Sequence, residues 1–297
     1  MSPPLVVVAL GGNAVSPPAG DPSLATERTL LARTAGEIAT LAADGRRLLV
    51  VHGNGPQVGR LLALDGDLAQ LDVRVAQTQG ELGYLLAEAL ERRLGAPCAA
   101  LVTRVLVDAG DTAFAAPTKP VGDLLAAPPP GVPCARTPDG RGWRRVVASP
   151  RPTAVLERDA IAALLGRGHV VAGGGGGVPL ASAPGGRRAL AAVVDKDWVA
   201  ALLAIALDAV RLVFVTDVSH AFDDFHGARA PIARMTATEA RARLARGVFA
   251  PGSMAPKIES AVQYVEASGR AAIVASPGSV QAAVAGLTGT RVEPDDA

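Results

Sequence analysis

Four glycine-rich turns and three lysines are the parts of this sequence whose types and spacing carry chemistry. The turns are Gly11-Gly12-Asn13, Gly53-Asn54-Gly55-Pro56, the run from Gly173 to Gly177, and Pro251-Gly252-Ser253. Glycine lets backbone N–H groups approach phosphate oxygens, and a following helix start adds partial positive charge, so together the turns imply a polyanionic ligand. One such turn alone is more often plain strand-to-helix geometry; four at one sheet edge shift the balance. The five-glycine run is open to a linker reading, but its apolar flanks, Val171-Ala172 and Val178-Pro179, and its lack of serine favour a turn held against something.

Of the 29 basic residues only Lys119, Lys196 and Lys257 are lysine. An ammonium is a compact charge on a flexible stem, whereas guanidinium is a planar fork that does not fit the same pocket. Positions that keep lysine in an arginine-rich chain are therefore candidates for needing it, with chance and codon bias as the alternative. Each lies in a turn or at an expected helix start: Thr118-Lys119-Pro120-Val121-Gly122, Val194-Asp195-Lys196-Asp197 and Ser253-Met-Ala-Pro-Lys257. Phosphoryl transfer asks a protein mainly for positioning and for neutralisation of charge on the transferring group, which two or three lysines with Mg²⁺ supply. Asp195 is placed to fix the orientation of the Lys196 ammonium, unless the two form only a solvated pair.

Other chemistries lack their residues. There is no Gly-x-x-x-x-Gly-Lys-Ser/Thr loop, and Gly11-Gly-Asn-Ala-Val-Ser16 does not have the glycine spacing of a dinucleotide fold. His52, His169, His220 and His226 show no metal-ligand spacing, and Asp223-Asp224 reads as a charged surface turn, so no metal site is assigned to side chains. With 29 Lys plus Arg against 28 Asp plus Glu, a net charge of +1 argues against a broad nucleic-acid surface and for small-molecule substrates. Cys98 and Cys134 have no paired pattern and suit a reducing compartment. The start, Met1-Ser-Pro-Pro-Leu5, lacks the basic segment and cleavage site of a signal peptide. The longest uncharged helical stretch, Trp198 to Leu207, is about half of the ~20 residues a membrane span needs, and a cytoplasmic location is expected.

The elements that must position these residues alternate between strand and helix. Leu5 to Leu10 and Arg47 to His52 are continuous apolar runs that read as buried parallel strands, with a helix from Leu24 to Ala43 between them. Gln79 to Leu94 reads as a helix and Cys98 to Asp108 as a strand or strand pair. From Thr112 to Gly142, Pro117, Pro120, Pro128 to Pro130, Pro133 and Pro138 interrupt any regular element, marking an excursion from the fold. The rhythm then resumes with a helix from Thr153 to Leu165, a strand at His169 to Ala172, a helix from Asp195 to Leu207 and a strand at Arg211 to Thr216. Helices from Thr236 to Ala245 and Pro256 to Ser268, a strand at Ala271 to Ser276 and a last strand near Thr290 follow. Hydrophobic residues make up 49% of the chain and aromatics only 3%, so the core is expected from Ala, Val and Leu in close helix-on-sheet packing. The fold class is α/β, a three-layer αβα sandwich with a mostly parallel sheet whose C-terminal strand ends carry the binding loops.

Taken together, Ala9-Leu-Gly-Gly-Asn-Ala14, Val51-His-Gly-Asn-Gly-Pro-Gln-Val-Gly59, Thr118-Lys-Pro-Val-Gly122, Gly140-Arg-Gly-Trp-Arg-Arg-Val-Val147, the stretch from Ala172 to Pro179, Val194-Asp-Lys-Asp197 and Phe249-Ala-Pro-Gly-Ser-Met-Ala-Pro-Lys257 resemble carbamate kinase, of the amino acid kinase superfamily, nearly end to end. The resemblance implies reversible transfer between ATP and carbamate, giving ADP and carbamoyl phosphate, often run toward ATP in arginine catabolism, with Mg²⁺ and a homodimer. It implies one domain over residues 1–297, with an inserted lid at about 112–148, an acceptor-binding N-terminal half and a nucleotide-binding region at about 190–297. By matching motifs, Lys196 and Lys257 neutralise the transferring group, Asp195 orients them, and Lys119 reaches in from the lid. Gly11, Gly12, Asn13, Gly53 and Asn54 hold the acceptor and γ-phosphate, with Gly174 and Gly175 on the same substrate side. Thr216, Asp217, Phe222, Gly252, Ser253 and Met254 lie at the nucleotide. The sequence departs from the family pattern at Ser219-His220, at Ala148 where the family generally has proline, and in a short proline-rich lid. A kinase of the same superfamily acting on another small acid, such as acetylglutamate, and a non-catalytic nucleotide-binding sensor are the other readings.

Overall fold

The computed structural model describes residues 3–16, 23–65, 68–137, 140–223 and 229–296; the side chains of Asn13, Asp44, Asp65 and Asp123 lie outside that description, as do Asp224 and His226. Eight strands form the central sheet. In order across it they are Arg234–Thr236, Thr290–Glu293, Ala272–Ala275, Arg211–Val215, Leu5–Leu10, Arg47–His52, His169–Val171 and Cys98–Ala100. Every neighbouring pair is parallel except Ala272–Ala275 against Thr290–Glu293.

All six residues of Leu5–Leu10 are buried, as a strand covered on both faces requires. Alternate side chains go to opposite faces. Val7 and Ala9 join Leu49, Val51 and Phe214 in one core, with Val199 and Leu203 of the Lys196–Ala206 helix and Ile258 and Val262 of the Met254–Ser268 helix. Val6, Val8 and Leu10 join Leu48, Val50 and Val213 in the other, under Leu31, Ala35 and Ile38 of the Leu24–Ala39 helix and Leu82 and Leu86 of the Leu71–Leu94 helix. The result is a three-layer αβα sandwich. Small side chains let the helices lie close to the sheet, and Tyr264 and Phe214 are the largest side chains wholly buried in it. The Tyr264 hydroxyl donates to the Ala209 carbonyl at 2.7 Å, so its burial leaves no orphaned donor.

Register fixes where the loops emerge. Leu10 lies level with both His52 and Val215, and Val215 with Ala275, so the residues that follow, Gly11, Gly53 and Thr216, leave the sheet side by side at one edge. The Gly11 N–H donates to the Val215 carbonyl and the Gly53 N–H to that of Leu10, which holds both glycine turns at the strand ends.

Two expectations needed correction. Thr153 to Leu165 is not one helix: Pro152–Val155 is an edge strand of a separate four-stranded sheet, antiparallel to Arg104–Val107, and the helix begins at Arg158. An edge strand tolerates the missing Pro152 N–H, and Thr153 and Val155 are β-branched. The same sheet holds the hairpin of Val178–Ala183 and Gly186–Ala189, which no clear alternation announced. Lys119–Leu125 and Cys134–Arg136 of the proline-rich stretch, with Trp143–Val147 just after it, form a three-stranded antiparallel sheet. Pro120 falls on its edge strand, where a lost donor is harmless.

Candidate active site

The loops at the sheet edge enclose a cavity of about 430 Å³ lined by Gly11, Gly12, Gly53, Asn54, Gly175, Lys119, Asp195, Lys196, Thr216, Asp217, Gly252, Ser253 and Lys257 among others. All three lysines of the chain therefore meet in one place. The Lys196–Ala206 helix starts in the cavity wall, and Asp195 caps it, its Oδ1 accepting the Asp197 N–H at 3.0 Å. The other oxygen of Asp195 is 2.5 Å from Lys119 Nζ.

Asp197, only 1% exposed, stands between the remaining two ammoniums. Its Oδ1 accepts from Lys196 Nζ at 2.7 Å and its Oδ2 from Lys257 Nζ at 3.2 Å; Lys257 also donates to the Ser253 carbonyl at 3.2 Å. The carboxylate that orients Lys196 and Lys257 is thus Asp197, while Asp195 is turned to Lys119. An aspartate at an N-cap spends one oxygen on the helix amides, whereas the aspartate inside the first turn is left to face its neighbours. Each ammonium has three donors, so Lys196 keeps two and Lys257 one for an incoming anion.

Burial and charge act against each other here. Burial pulls Lys196 below the ordinary lysine range, with Asp197 lifting it and Lys257 lowering it again. Lys257 also suffers burial, but Asp197, Asp195 and Asp217 together outweigh it and hold its pKa above the ordinary value. Burial opposes ionisation of Asp195, yet Lys119 and Lys196 win and keep its carboxyl well below the usual range. Asp217 is pushed up by burial, with Lys257 and Lys196 pulling back, and it forms no salt bridge among the described residues.

Not every expected residue lines the cavity. Gly174 does not: a Cβ there would run into the His52 ring behind the wall. His52 is 1% exposed, and burial takes its pKa down to about 4, so the ring is neutral at neutral pH and its Nδ1–H donates to the Gly53 carbonyl at 2.9 Å. The Asn54 side chain is committed to the Thr78 hydroxyl at 2.8 Å beneath Gly175, leaving its backbone to the cavity. Asn13 falls in the short Gly12–Val15 helix, with its side chain outside the described residues. Phe222 and Met254 line an adjoining cavity of about 280 Å³ with Val218, Val248, Phe249 and Ala250, which shares Thr216, Asp217 and Ser253 with the first.

At Gly12 a Cβ would meet nothing within 4 Å, and the residue is helical. Gly12→Ala is expected to leave the melting temperature unchanged or slightly raised, since alanine favours a helix by roughly 0.5–1 kcal/mol over glycine. Its phosphoryl-transfer rate should nevertheless fall about tenfold or more, because the added methyl occupies space that a ligand needs against the backbone. Thermal melting and turnover, measured on the same preparation, check both halves.

Lys119 enters from the base of the three-stranded sheet, where it pairs with Val147, and the next residue, Ala148, bridges to Ala192 just ahead of Asp195. The sheet rests on the Gly55–Asp65 helix through two glycines: a Cβ at Gly59 would lie 2.9 Å from Gly122 Cα. Arg144, which also lines the cavity, holds Gly122 by donating to its carbonyl at 2.6 and 3.1 Å. The sequence alone gives Arg144 no role. Neither backbone can yield cheaply, so Gly59→Ala is expected to lift the small sheet and Lys119 away, lowering turnover about 10-fold to 100-fold while ADP affinity stays within about twofold. Steady-state rates beside calorimetric ADP binding would show the split.

Over residues 4–276 the sequence matches the amino acid kinase family. A carbamate kinase of Halobacterium salinarum is 37% identical over 303 residues, covering 98% of this chain and 98% of that protein. The carbamate kinase-like protein YqeA of Escherichia coli is 36% identical, covering 97% of this chain and 98% of its own. Among solved structures, carbamate kinase from Giardia lamblia bound to AMP-PNP superposes with a TM-score of 0.88 at 32% identity, covering 99% of this chain and 100% of that one.

Proposed function

As the chain belongs to the amino acid kinase family and is a phosphotransferase, we propose that it moves a phosphoryl group between ATP and carbamate, giving ADP and carbamoyl phosphate. The observation that carries this reading is the Lys196–Asp197–Lys257 bridge with Lys119 beside it, three ammoniums converging on one cavity edged by glycine turns. A carbamate oxygen attacks the γ-phosphorus, the bond to the bridging oxygen of ADP breaks, and negative charge builds on the equatorial oxygens of the group in flight. Lys196 and Lys257 neutralise that charge from positions already set by Asp197, so little reorganisation is needed at the moment of transfer. The apolar cavity of Val218, Phe222, Val248, Phe249 and Met254 would take the adenine, and the Gly11–Gly12 and Gly53–Asn54 side the carbamate. Residues from about 190 onward then serve the nucleotide, the N-terminal half serves the acceptor, and the small sheet between about 112 and 148 acts as a lid.

No group of three or more His, Cys, Asp or Glu side chains among the described residues could hold a metal by itself. Asp217, which forms no salt bridge among the described residues, is the residue that would meet Mg²⁺ carried on the nucleotide, and the ion would supply charge neutralisation on the phosphate oxygens. In cells we place the reaction in the cytoplasm, in arginine catabolism, running toward ATP; no helix among the described residues is long and apolar enough to cross a membrane. A homodimer would cover the open sheet edge at Cys98–Ala100. The Leu71–Leu94 helix, whose Gly83 abuts Ala100 of that strand, carries Val73 and Tyr84 44% and 56% exposed, and Val102, two residues past the strand, is 50% exposed.

The test is ATP formation from carbamoyl phosphate and ADP with Mg²⁺. Turnover at enzymatic rates is expected. A silent protein that still binds ADP would mean a different acceptor, to be sought in a panel of small acids including acetylglutamate, and silence throughout that panel would favour a nucleotide sensor.

A further inference from the structure

Behind the cavity wall that carries the first two glycine turns lies a polar cluster, buried at Glu27 and reaching solvent at Arg60, in which no group lines the cavity. Glu27, 0% exposed, sits in the first turn of the Leu24–Ala39 helix. Its carboxylate accepts from Arg60 Nη1 at 2.8 Å and Nη2 at 3.0 Å, from Gln57 Nε2 at 2.9 Å and from Ser16 Oγ at 3.4 Å. Ser16 closes the Gly12–Val15 turn, whose Gly12 faces the cavity. Gln57 and Arg60 belong to the Gly55–Asp65 helix, whose Gly55, Pro56 and Val58 face it from the other side. Donors from both walls thus converge on one buried group held by a third element, and the Thr34 hydroxyl of that same helix ties down the Ala14 carbonyl at 2.8 Å.

We propose that Glu27 is a positioning residue for the acceptor end of the cavity, fixing the spacing of the two glycine walls between which carbamate or carbamoyl phosphate sits. The inference rests on the carbamate kinase reading above. A buried ion pair returns little stability over an apolar pair of similar size, because desolvation offsets the attraction. What this pair supplies is direction, since each donor must come from a defined place. Arg60 also has Glu81 at 3.7 Å, so a weakened Glu27 lets Arg60 swing to a second carboxylate and carry its helix with it.

The experiment compares wild type, Glu27→Gln, Gln57→Leu and the double variant Glu27→Gln/Arg60→Gln as full chains. ATP formation is measured against carbamoyl phosphate and against ADP separately, together with hydrogen exchange of the segments 11–16, 53–58 and 211–215. Glu27→Gln is expected to raise KM for carbamoyl phosphate about tenfold, the scale of a sub-ångström shift in the wall, while KM for ADP stays within about twofold. Exchange should quicken at 11–16 and 53–58 but not at 211–215. The double variant, which restores a pair of amides able to bond each other, should recover most of the loss. Gln57→Leu keeps the ion pair and removes one tie, and should show the same split in KM if Glu27→Gln does not fold. Equal changes in both KM values, or unaltered exchange at 11–16 and 53–58, overturns the proposal. If wild type does not turn over carbamoyl phosphate, the functional reading has failed, and the positioning role is then decided by the exchange data alone.

Discussion

Asp197→Asn is expected to lower phosphoryl transfer by about 10³-fold, a loss of about 4 kcal/mol of transition-state stabilisation. One carboxylate holds both buried ammoniums, and its removal leaves Lys196 and Lys257 facing each other with no direct carboxylate partner, offset only through space by Asp195 and, for Lys257, Asp217. Asp195→Asn makes the control. Asparagine caps a helix as well as aspartate, so the cap is kept while the link to Lys119 and the smaller through-space pull on Lys196 and Lys257 weaken, and a loss of about tenfold is expected. The pH profile identifies the cause. Burial already lowers Lys196, and Asp197 is the strongest influence lifting it, so in Asp197→Asn its pKa falls further and the charged fraction shrinks near neutrality. Residual activity relative to wild type should therefore rise as pH is lowered from about 9 to 6. Stability should move the other way: between the lowered folded pKa and the ordinary 10.5 the unfolded chain binds more protons, so the folded variant gains stability as pH rises. A parallel, pH-independent loss in both would sink this account of Asp197.

The second large effect separates the lysines by the room around them. Lys196 and Lys257 are 9% and 7% exposed, and the Lys196 stem lies against Gly53, where a Cβ would approach its Cδ to 3.7 Å. A planar guanidinium cannot reproduce a compact ammonium held on Asp197 at so little exposure, so Lys196→Arg and Lys257→Arg should each cost about 10²-fold in kcat although the formal charge is kept. The Lys119 side chain is 25% exposed and enters from the edge of a small sheet, so Lys119→Arg should stay within about tenfold of wild type. Single-turnover rates with ADP affinity measured in parallel would resolve the contrast; equal losses at all three positions would remove the argument from shape.

Much of this arrangement is written locally in the chain. Continuous apolar runs marked Leu5–Leu10 and Arg47–His52 as buried strands, and the glycines and lysines that follow strand ends or open helices marked the edge where ligands bind. What local pattern does not contain is direction. Aspartates flank Lys196 on both sides, and only the folded helix start shows that Asp195 is used as a cap and Asp197 as the bridge. Five glycines in a row look equivalent, yet Gly175 faces the cavity and Gly174 backs onto His52, a difference set by a strand more than a hundred residues earlier. Thr153 to Val155 reads as helix because its short apolar stretch runs into a genuine one, and the pairing partner of that strand, Arg104–Val107, is distant in sequence. The network at Glu27 joins three segments, none of which carries a signal for it alone.

The gathering of all three lysines in one cavity has a consequence for labelling. Apart from its terminal amine the chain offers no primary amine anywhere on its outer surface, because every other surface cation is a guanidinium. Amine-selective chemistry, such as imine formation with aldehydes, is therefore directed to the site and the terminal amine. Lys119, the most open of the three, should react first, and Lys196, whose lowered pKa leaves more of it as free amine, should be the best nucleophile once reached. A bound nucleotide or acyl phosphate would shield all three together, so the mass added by a small acylating agent counts occupied sites directly.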